Sequence, residues 1–81
     1  MNIYIGNLNY RVQEDNLRKA LEEYGDVSSV KLIKDRDTGR SKGYAFAEMP
    51  NDHEAHKAIS ELNESQFEGR QLVIKQALPK R

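Results

Sequence analysis

Aromatic and very small residues alternate in the segment KGYAFAEM, residues 42–49. Successive side chains of a β-strand point to opposite faces, so Tyr44 and Phe46 would share one face and the alanines between them the other. Two interpretations are open. The rings could pack into the core, with the charged Lys42 and Glu48 at the strand ends. Alternatively, the rings could face solvent because a flat ligand stacks on them.

Other patterns that could do chemistry are weaker. His53 and His56 have the i, i+3 spacing of a helical metal site, but the chain has no cysteine and no third ligand is placed by the sequence. The run GRSKG, residues 39–43, is not a phosphate-binding loop, because it joins two predicted strands rather than a strand and a helix. Paired acids fall on predicted solvent-facing helix positions. We therefore expect no catalysis, no metal and no cofactor.

Two helices and four strands must position the rings. Apolar residues at helical spacing predict helices over 14–24 and 52–62, and Asn51 followed by Glu54 is typical of a capping box for the second. Gln13 is a poorer cap for the first. The strand-like runs are NIYIG, VSSVKLI, KGYAFAEM and QLVIKQA. The order βαββαβ predicts an α+β, ferredoxin-like sandwich: a four-stranded antiparallel sheet with both helices packed on one face.

This architecture favours exposed rings. Each strand should turn its apolar side toward the helices, which places these residues inward: Ile3, Ile5, Val30, Leu32, Ala45, Ala47, Met49, Leu72 and Ile74. The opposite register would bury Lys42 and Glu48 without partners, at a high cost in desolvation. Tyr4, Tyr44 and Phe46 should therefore lie on the open face. Lys31, Lys42 and Lys75 should lie near them.

The length of the chain fits one small domain. Residues 1–78 are predicted to form the domain, and residues 79–81 a short basic tail. No apolar run approaches the roughly 20 residues that span a bilayer. No signal peptide is visible at the start of the chain. The absence of cysteine is compatible with a reducing, cytoplasmic location.

The net charge of zero conceals an uneven distribution. The two helical segments are acidic, with balances of −2 over residues 13–24 and −3 over residues 51–64. The segments around the sheet are basic, with +3 over residues 31–42 and +4 over residues 70–81. A basic face attracts polyanions, whereas a solvated charged surface is the simpler explanation of any one segment.

Two of these segments together resemble a known family. KGYAFAEM is similar to the RNP octamer of the RNA-recognition motif, K/R-G-F/Y-G/A-F-V-x-F/Y. IYIGNL, residues 3–8, resembles the partner hexamer of that family, about forty residues upstream. The resemblance covers essentially the whole chain. It is strongest to small single-domain bacterial RNA-binding proteins and to the similar domains of plant glycine-rich RNA-binding proteins, although this chain has no glycine-rich tail.

The resemblance implies roles for individual residues. Tyr4 and Phe46 correspond to base-stacking rings, and Tyr44 to a ring that packs against sugars of adjacent nucleotides. Lys42 corresponds to a phosphate contact. Further phosphate or polar contacts are expected from Lys31, Lys75, Asn2, Arg40 and Glu48, with a salt bridge to a neighbouring lysine as the expected state of Glu48. Where the family has valine and an aromatic, this chain has Ala47 and Met49, both predicted to face the core.

The predicted function is therefore binding of single-stranded RNA, in post-transcriptional regulation or as an RNA chaperone. A protein-interaction domain on the same fold is the alternative from another class. Binding of single-stranded DNA is also open, because stacking rings do not sense the 2′-OH. No membrane partner is expected. The acidic helix face could contact a protein, and the oligomeric state and RNA sequence preference are not determined by the sequence.

Overall fold

The computed structural model describes residues 1–77, so residue 78 and the predicted basic tail at 79–81 lie outside the described residues. Six strands and two helices follow one another along this part of the chain. In chain order they are β1 (Asn2–Gly6), α1 (Glu14–Glu22), β2 (Ser29–Lys34), β3 (Ser41–Glu48), α2 (Asp52–Leu62), β4 (Gln66–Phe67), β5 (Arg70–Gln71) and β6 (Val73–Gln76).

The main sheet has the strand order β2-β3-β1-β6, and every neighbouring pair is antiparallel. Its two central strands are β1 and β3, which carry the hexamer and octamer segments. Apolar residues of α1 and α2 join the buried face of this sheet in one core. The predicted ferredoxin-like sandwich, with both helices on one face, is confirmed.

The core contains every residue that the strand alternation predicts to face inward, with one of them at its margin. Val30 is only partly buried, whereas Met49 is completely buried. The buried apolar residues are Ile3, Ile5, Leu8, Val12, Leu17, Leu21, Leu32, Ala45, Ala47, Met49, Ala55, Ala58, Leu72 and Ile74. This set includes alanines on both β3 and α2, and such small side chains allow a helix to approach a sheet closely. Ala47 and Met49 thus alter packing and leave the open face untouched.

A side-chain hydrogen bond caps the start of each helix, but the two caps differ in kind. The Asn51 side chain accepts a hydrogen bond from the Glu54 N–H at 3.0 Å, as predicted for α2. The Glu54 carboxylate, however, accepts from the Asp26 N–H at 3.3 Å and so ties α2 to the segment after α1. At α1 the Asn16 side chain accepts from the Gln13 N–H at 2.9 Å. A reciprocal bond of this kind compensates for the weak cap at Gln13.

The ends of two elements differ from the sequence prediction. Helix α1 ends at Glu22 rather than at residue 24, because the Tyr24 N–H donates to the Leu21 carbonyl in a tightened last turn. The last strand of the sheet begins at Val73 rather than at residue 71. Leu72 exchanges backbone hydrogen bonds with residues 64 and 65, which holds it out of the sheet.

A short hairpin, β4–β5, was not predicted. Its turn consists of Glu68 and Gly69, both at positive φ (50° and 80°), the backbone that a two-residue hairpin turn requires. Two-residue strands are too short to show a period, so the sequence carried no signal for them.

No helix within residues 1–77 is long and apolar enough to cross a membrane.

Candidate nucleic-acid interface

The strand register brings four side chains into one line across the open face of the sheet. Phe46 on β3 lies opposite Lys31 on β2 and opposite Tyr4 on β1, and Tyr4 in turn lies opposite Lys75 on β6. Residues directly opposite in an antiparallel sheet point to the same face. With strands about 4.8 Å apart, this row of cation, ring, ring and cation is roughly 14 Å long.

Tyr44 joins the two rings of the row, and the three together form what we call the platform: Tyr4, Tyr44 and Phe46. The ring centroids of Tyr4 and Phe46 are 5.7 Å apart, and each lies 6.0 Å from the centroid of Tyr44. Phe46 is 40% exposed, and both tyrosines are half-buried. Phe46 contacts both tyrosines edge to face, and the two tyrosine rings are tilted by 30° to each other. Such contacts help to hold each ring in place. All three rings lie on the open face of the sheet, as predicted, although only Phe46 is exposed rather than half-buried.

Gly6 has no side chain, and this leaves the space that the Tyr4 ring occupies. A Cβ atom at Gly6 would come within 2.6 Å of the Tyr4 hydroxyl oxygen and 2.8 Å of its ring, so any larger residue would displace the ring. Gly6 itself is buried beneath it. The glycine of the hexamer segment therefore has a packing role at the platform.

Two lysines flank the platform at the ends of the row. Lys75 Nζ lies 5.4 Å from the centre of the Tyr4 ring, close enough for a cation–π attraction. Lys31 is exposed beside Phe46. Within residues 1–77 neither lysine forms an ion pair with a carboxylate. Both positive charges are therefore available to a ligand that lies on the rings.

A polar row runs beside the aromatic row, formed by Ser29, Glu48 and Asn2 in register on β2, β3 and β1. Glu48 is exposed and, among the described residues, has no ion pair. The salt bridge expected from the sequence is therefore wrong for this part of the chain. Lys31 and Lys75 stand in the next row, two residues or about 7 Å along the strands. The Glu48 carboxylate is therefore available to accept hydrogen bonds from a ligand.

A bulge at the start of β3 separates Lys42 and Arg40 from the two rows. The register between β2 and β3 shifts between Leu32 and Lys34, and Gly43 has a φ of 87°. The sequence predicts that side chains alternate strictly from Lys42 to Tyr44. The bulge interrupts this alternation. Lys42 and Arg40 are both exposed, at the loop end of the sheet. Of the predicted polar contacts, Asn2, Lys31, Glu48 and Lys75 are brought together and these two are set apart.

The β2–β3 connection is held by the carboxylate of Asp35. Asp35 accepts hydrogen bonds from the N–H groups of Asp37 at 2.8 Å and Thr38 at 3.2 Å. These bonds lower the pKa of Asp35 below its ordinary value, and the nearby positive charge of Lys42 lowers it further. These hydrogen bonds hold the shape of the turn between β2 and β3.

No metal centre is apparent in the part of the chain that is described. His53 and His56 are exposed on α2, and residues 1–77 contain no cluster of three or more histidine, cysteine, aspartate or glutamate side chains that could hold an ion. What the site offers is stacking, hydrogen bonding and positive charge.

Sequence reasoning missed two residues near these rows. Ser29 lies in the polar row, and extending the alternation of β2 by one pair would have found it. Tyr10 is an exposed ring outside the platform, in the connection between β1 and α1. Its signal was present, because it is an aromatic residue outside every predicted helix and strand.

Comparison with known proteins agrees with this geometry. A family model described as the RNA recognition motif matches residues 3–73. A protein of Nostoc sp. (strain PCC 7120), designated RbpD and named as a candidate RNA-binding protein, is 45% identical over 80 residues, which cover 99% of this chain and 85% of that protein. The crystal structure of the RNA-binding protein PG1 is similar at a TM-score of 0.97 and 51% identity, covering 100% of this chain and 98% of that one. A structure of the Rna15 RRM with bound RNA (GU) has a TM-score of 0.84 and 32% identity, covering 94% and 81%.

Proposed function

The chain belongs to the RNA recognition motif family, and on that premise we propose that it binds single-stranded RNA on the open face of its sheet. The observation that carries the proposal is the row in which Phe46 and Tyr4 stand side by side between Lys31 and Lys75. Stacking of a base on an aromatic ring is worth roughly 1–3 kcal/mol. Unpaired bases expose the flat faces that such rings contact, whereas paired bases in a duplex cover them.

Each residue is assigned a contact with a base, a sugar or a phosphate according to its position on the sheet. Tyr4 and Phe46 each stack on one base, and Tyr44 packs against sugars between them. Lys31 and Lys75 contact phosphates at the two ends of the row. Lys42 and Arg40 meet the backbone where the strand leaves the sheet at the bulge. These assignments are supported by the match of the hexamer and octamer segments and by the partial or full exposure of each side chain.

The polar row gives the surface a means to discriminate among bases. Stacking tolerates every base, so selectivity needs hydrogen bonds at base edges. Glu48 accepts bonds from exocyclic amines, and Asn2 both donates and accepts. Because Glu48 is negative, it also repels phosphates and steers the backbone toward the lysines.

The number of accessible cations bounds the electrostatic contribution. Contact with about two to four phosphates, at about 0.7 per phosphate for a single strand, gives a slope of log affinity against log salt of about −1.4 to −2.8. Binding should therefore weaken only moderately between low and physiological salt. Most of the affinity would come from stacking.

The proposal includes a role and a context. Residues 1–78 act as one binding domain without catalysis, and residues 79–81 add a short basic tail. The domain holds RNA unpaired in the cytoplasm, as a post-transcriptional regulator or an RNA chaperone. This role is supported by the membership of the chain in the family.

Nuclear magnetic resonance titration of isotope-labelled protein with short RNA of randomised sequence tests the function. We expect shifts that cluster on Tyr4, Tyr44, Phe46 and Lys75, at low and at physiological salt. Varying one base at a time then maps selectivity. A DNA of matched sequence shows whether the 2′-OH contributes. An unchanged sheet in a folded protein would contradict the proposal and direct attention to a protein partner, with the acidic helix face as the surface to examine.

A further inference from the structure

The two helices carry acids where a helix least favours them. Glu22 is the last residue of α1 and Glu23 follows it. Glu61 lies in the last turn of α2, which has no basic residue, and Glu64 comes shortly after that helix. All four side chains are exposed. Because the C-terminal end of a helix has a partial negative charge, carboxylates there reduce its stability. Acids placed against the interest of the fold are candidates for a role outside it.

Opposite charges are separated between the helical face and the sheet face of the domain. The helical segments 13–24 and 51–64 have balances of −2 and −3, whereas segments 31–42 and 70–77, in the sheet and its loops, have +3 and +2. Within residues 1–77 the ion pairs are Arg18 with Glu22 at 4.0 Å and the Met1 ammonium with Asp52 at 3.7 Å. Most charges of this part of the chain therefore have no partner in their own domain. A net charge of zero provides no overall repulsion between copies.

The two faces are large enough to meet as an interface. The domain measures 37 × 32 × 18 Å, the short dimension being that of one helical layer stacked on one sheet. A broad face exceeds the roughly 800 Å² that each partner buries in a standard protein interface. Charges interact over roughly 8 Å at physiological salt. This distance is less than the thickness of the domain, so each face presents its own sign to a neighbour.

The edges of the sheet are poorly suited to contact between copies. The edge strands are β2 and β6, and free N–H groups on an edge strand favour pairing with another chain. The Leu32 N–H on β2 donates instead to the Glu14 carboxylate at 2.9 Å. The Ile74 N–H on β6 donates to the Asn63 side chain at 3.0 Å. A side chain thus blocks strand addition on each edge, which leaves the broad faces as the surfaces where copies can meet.

We propose that the acidic helical face of one copy docks on the basic open face of a second copy. The carboxylates at the helix ends of the first copy meet Lys31 and Lys75 of the second, which form no ion pair within residues 1–77 of their own chain. The contact joins two different surfaces, so it continues from dimers to longer chains. It is weak and sensitive to salt, because its charges are exposed in the free protein.

This contact makes the protein regulate its own platform. A docked copy covers the rings, so a second copy and RNA compete for one face. The apparent RNA affinity should therefore fall as the protein concentration rises. The inference rests on the proposed function for this competition, whereas the contact between copies exists without RNA.

Sedimentation equilibrium of the RNA-free protein tests the contact. At about 10 mM salt, where charges interact over roughly 30 Å, the mean mass should rise with protein concentration above that of a monomer. At about 1 M salt, where the distance is roughly 3 Å, the mass should stay that of a monomer. A saturating amount of randomised single-stranded RNA of four nucleotides should also return the protein to monomers at low salt.

The helical face is tested by replacing Glu22 and Glu23 together with glutamine. This double variant should lower the association constant about 2- to 25-fold, or about 1.5- to 5-fold per charge. It should bind RNA at least as tightly as the unmodified protein. Asp37→Asn combined with Glu68→Gln is the matched control, because it removes two exposed acids outside the helices. The control should associate at least as strongly as the unmodified protein.

Mixing two defective variants tests whether the contact is head-to-tail. Lys31→Glu combined with Lys75→Glu disables the sheet face, and the glutamine double variant weakens the helical face. Each should be mostly monomeric alone at a concentration where the unmodified protein associates. An equimolar mixture should form dimers that do not grow, since one intact helical face meets one intact sheet face. A contact between two like faces would not be restored by mixing.

The outcomes separate this inference from the proposed function. A constant monomer mass at low salt, or a mixture that forms no dimer, overturns the inference and leaves RNA binding to its own titration. Association that persists while the titration shows RNA bound to the sheet also overturns it, because the platform would then be free. If the titration shows no RNA binding, the proposed function fails and the mixture alone decides the contact. Should the glutamine double variant not fold, Glu61→Gln combined with Glu64→Gln takes its place in the mixture.

Discussion

Replacing Phe46 by alanine removes the most exposed ring of the platform and leaves the strand that carries it in place. Phe46 lies opposite Lys31 and Tyr4 in the backbone register of the sheet, which the substitution does not alter. The side chain contributes to RNA binding and to stability through different parts of its surface. Its exposed part offers a face to a base, and its covered part contacts the rings of Tyr4 and Tyr44.

The loss of the exposed face should appear in RNA affinity. One stacked base is worth roughly 1–3 kcal/mol, so the dissociation constant should rise by about 5- to 150-fold. The loss should be similar for all base compositions, since every base has a face to stack. The salt slope should not change, because no cation is removed.

The loss of the covered part should appear in stability. A phenylalanine deep in a core costs about 3–5 kcal/mol when truncated to alanine. Phe46 is 40% exposed and contacts its neighbours only by ring edges, so we expect roughly 1–2 kcal/mol. In a domain of this size each kcal/mol lowers the melting temperature by about 4–8 °C. The variant should therefore melt lower but remain folded at room temperature.

Fluorescence anisotropy with a labelled single-stranded RNA measures the first effect, and thermal unfolding by circular dichroism the second. Phe46→Leu is the informative control, because it keeps much of the apolar contact and has no aromatic face. It should be nearly as stable as the unmodified protein and bind nearly as weakly as Phe46→Ala. Full RNA affinity in a folded Phe46→Ala protein would refute the stacking argument. A stability loss of the size typical of a core position would refute the exposed assignment of the ring.

Three further outcomes follow from the geometry. Lys75→Ala should weaken binding to all RNA sequences alike and reduce the salt slope by about 0.7, whereas Lys57→Ala should not; a change confined to one sequence would contradict a phosphate role. Met49→Ala should cost about 2–5 kcal/mol in the free energy of unfolding measured with urea, because Met49 is completely buried, and a neutral result would contradict its place in the core. The pKa of Asp35 is lowered by its hydrogen bonds from Asp37 and Thr38, so the contribution of Asp35 to the loop is present above the ordinary aspartate pKa and is lost as the pH falls through the lowered one. A carboxyl titration followed by nuclear magnetic resonance should show Asp35 protonating below that ordinary value, and a midpoint at or above it would be inconsistent with those bonds.

The sequence by itself determined which face each central strand turns to solvent. In β3 the large rings alternate with alanines, and only one of the two orientations avoids burying Glu48 without a partner. The same alternation in β1 assigned Tyr4 to the same face as Tyr44 and Phe46. This alternation repeats every two residues along one strand. It can therefore be recognised in the sequence without knowledge of any tertiary contact. The helices were equally clear, since Leu17 and Leu21, and Ala55 and Ala58, follow the helical period.

The tertiary structure decided how the strands align and where the irregular segments go. Register sets Lys31 and Lys75 at the ends of the aromatic row and puts Glu48 in another row, although Glu48 was expected to pair with a neighbouring lysine. The bulge at Gly43 and the β4–β5 hairpin depend on backbone at positive φ, which leaves no periodic trace in the sequence. A cleft beside Tyr10 is formed by two connections about thirty residues apart, which only the pairing of β2, β3 and β1 brings together. Local periodicity fixes the direction of a side chain, but its neighbours come from contacts between distant parts of the chain.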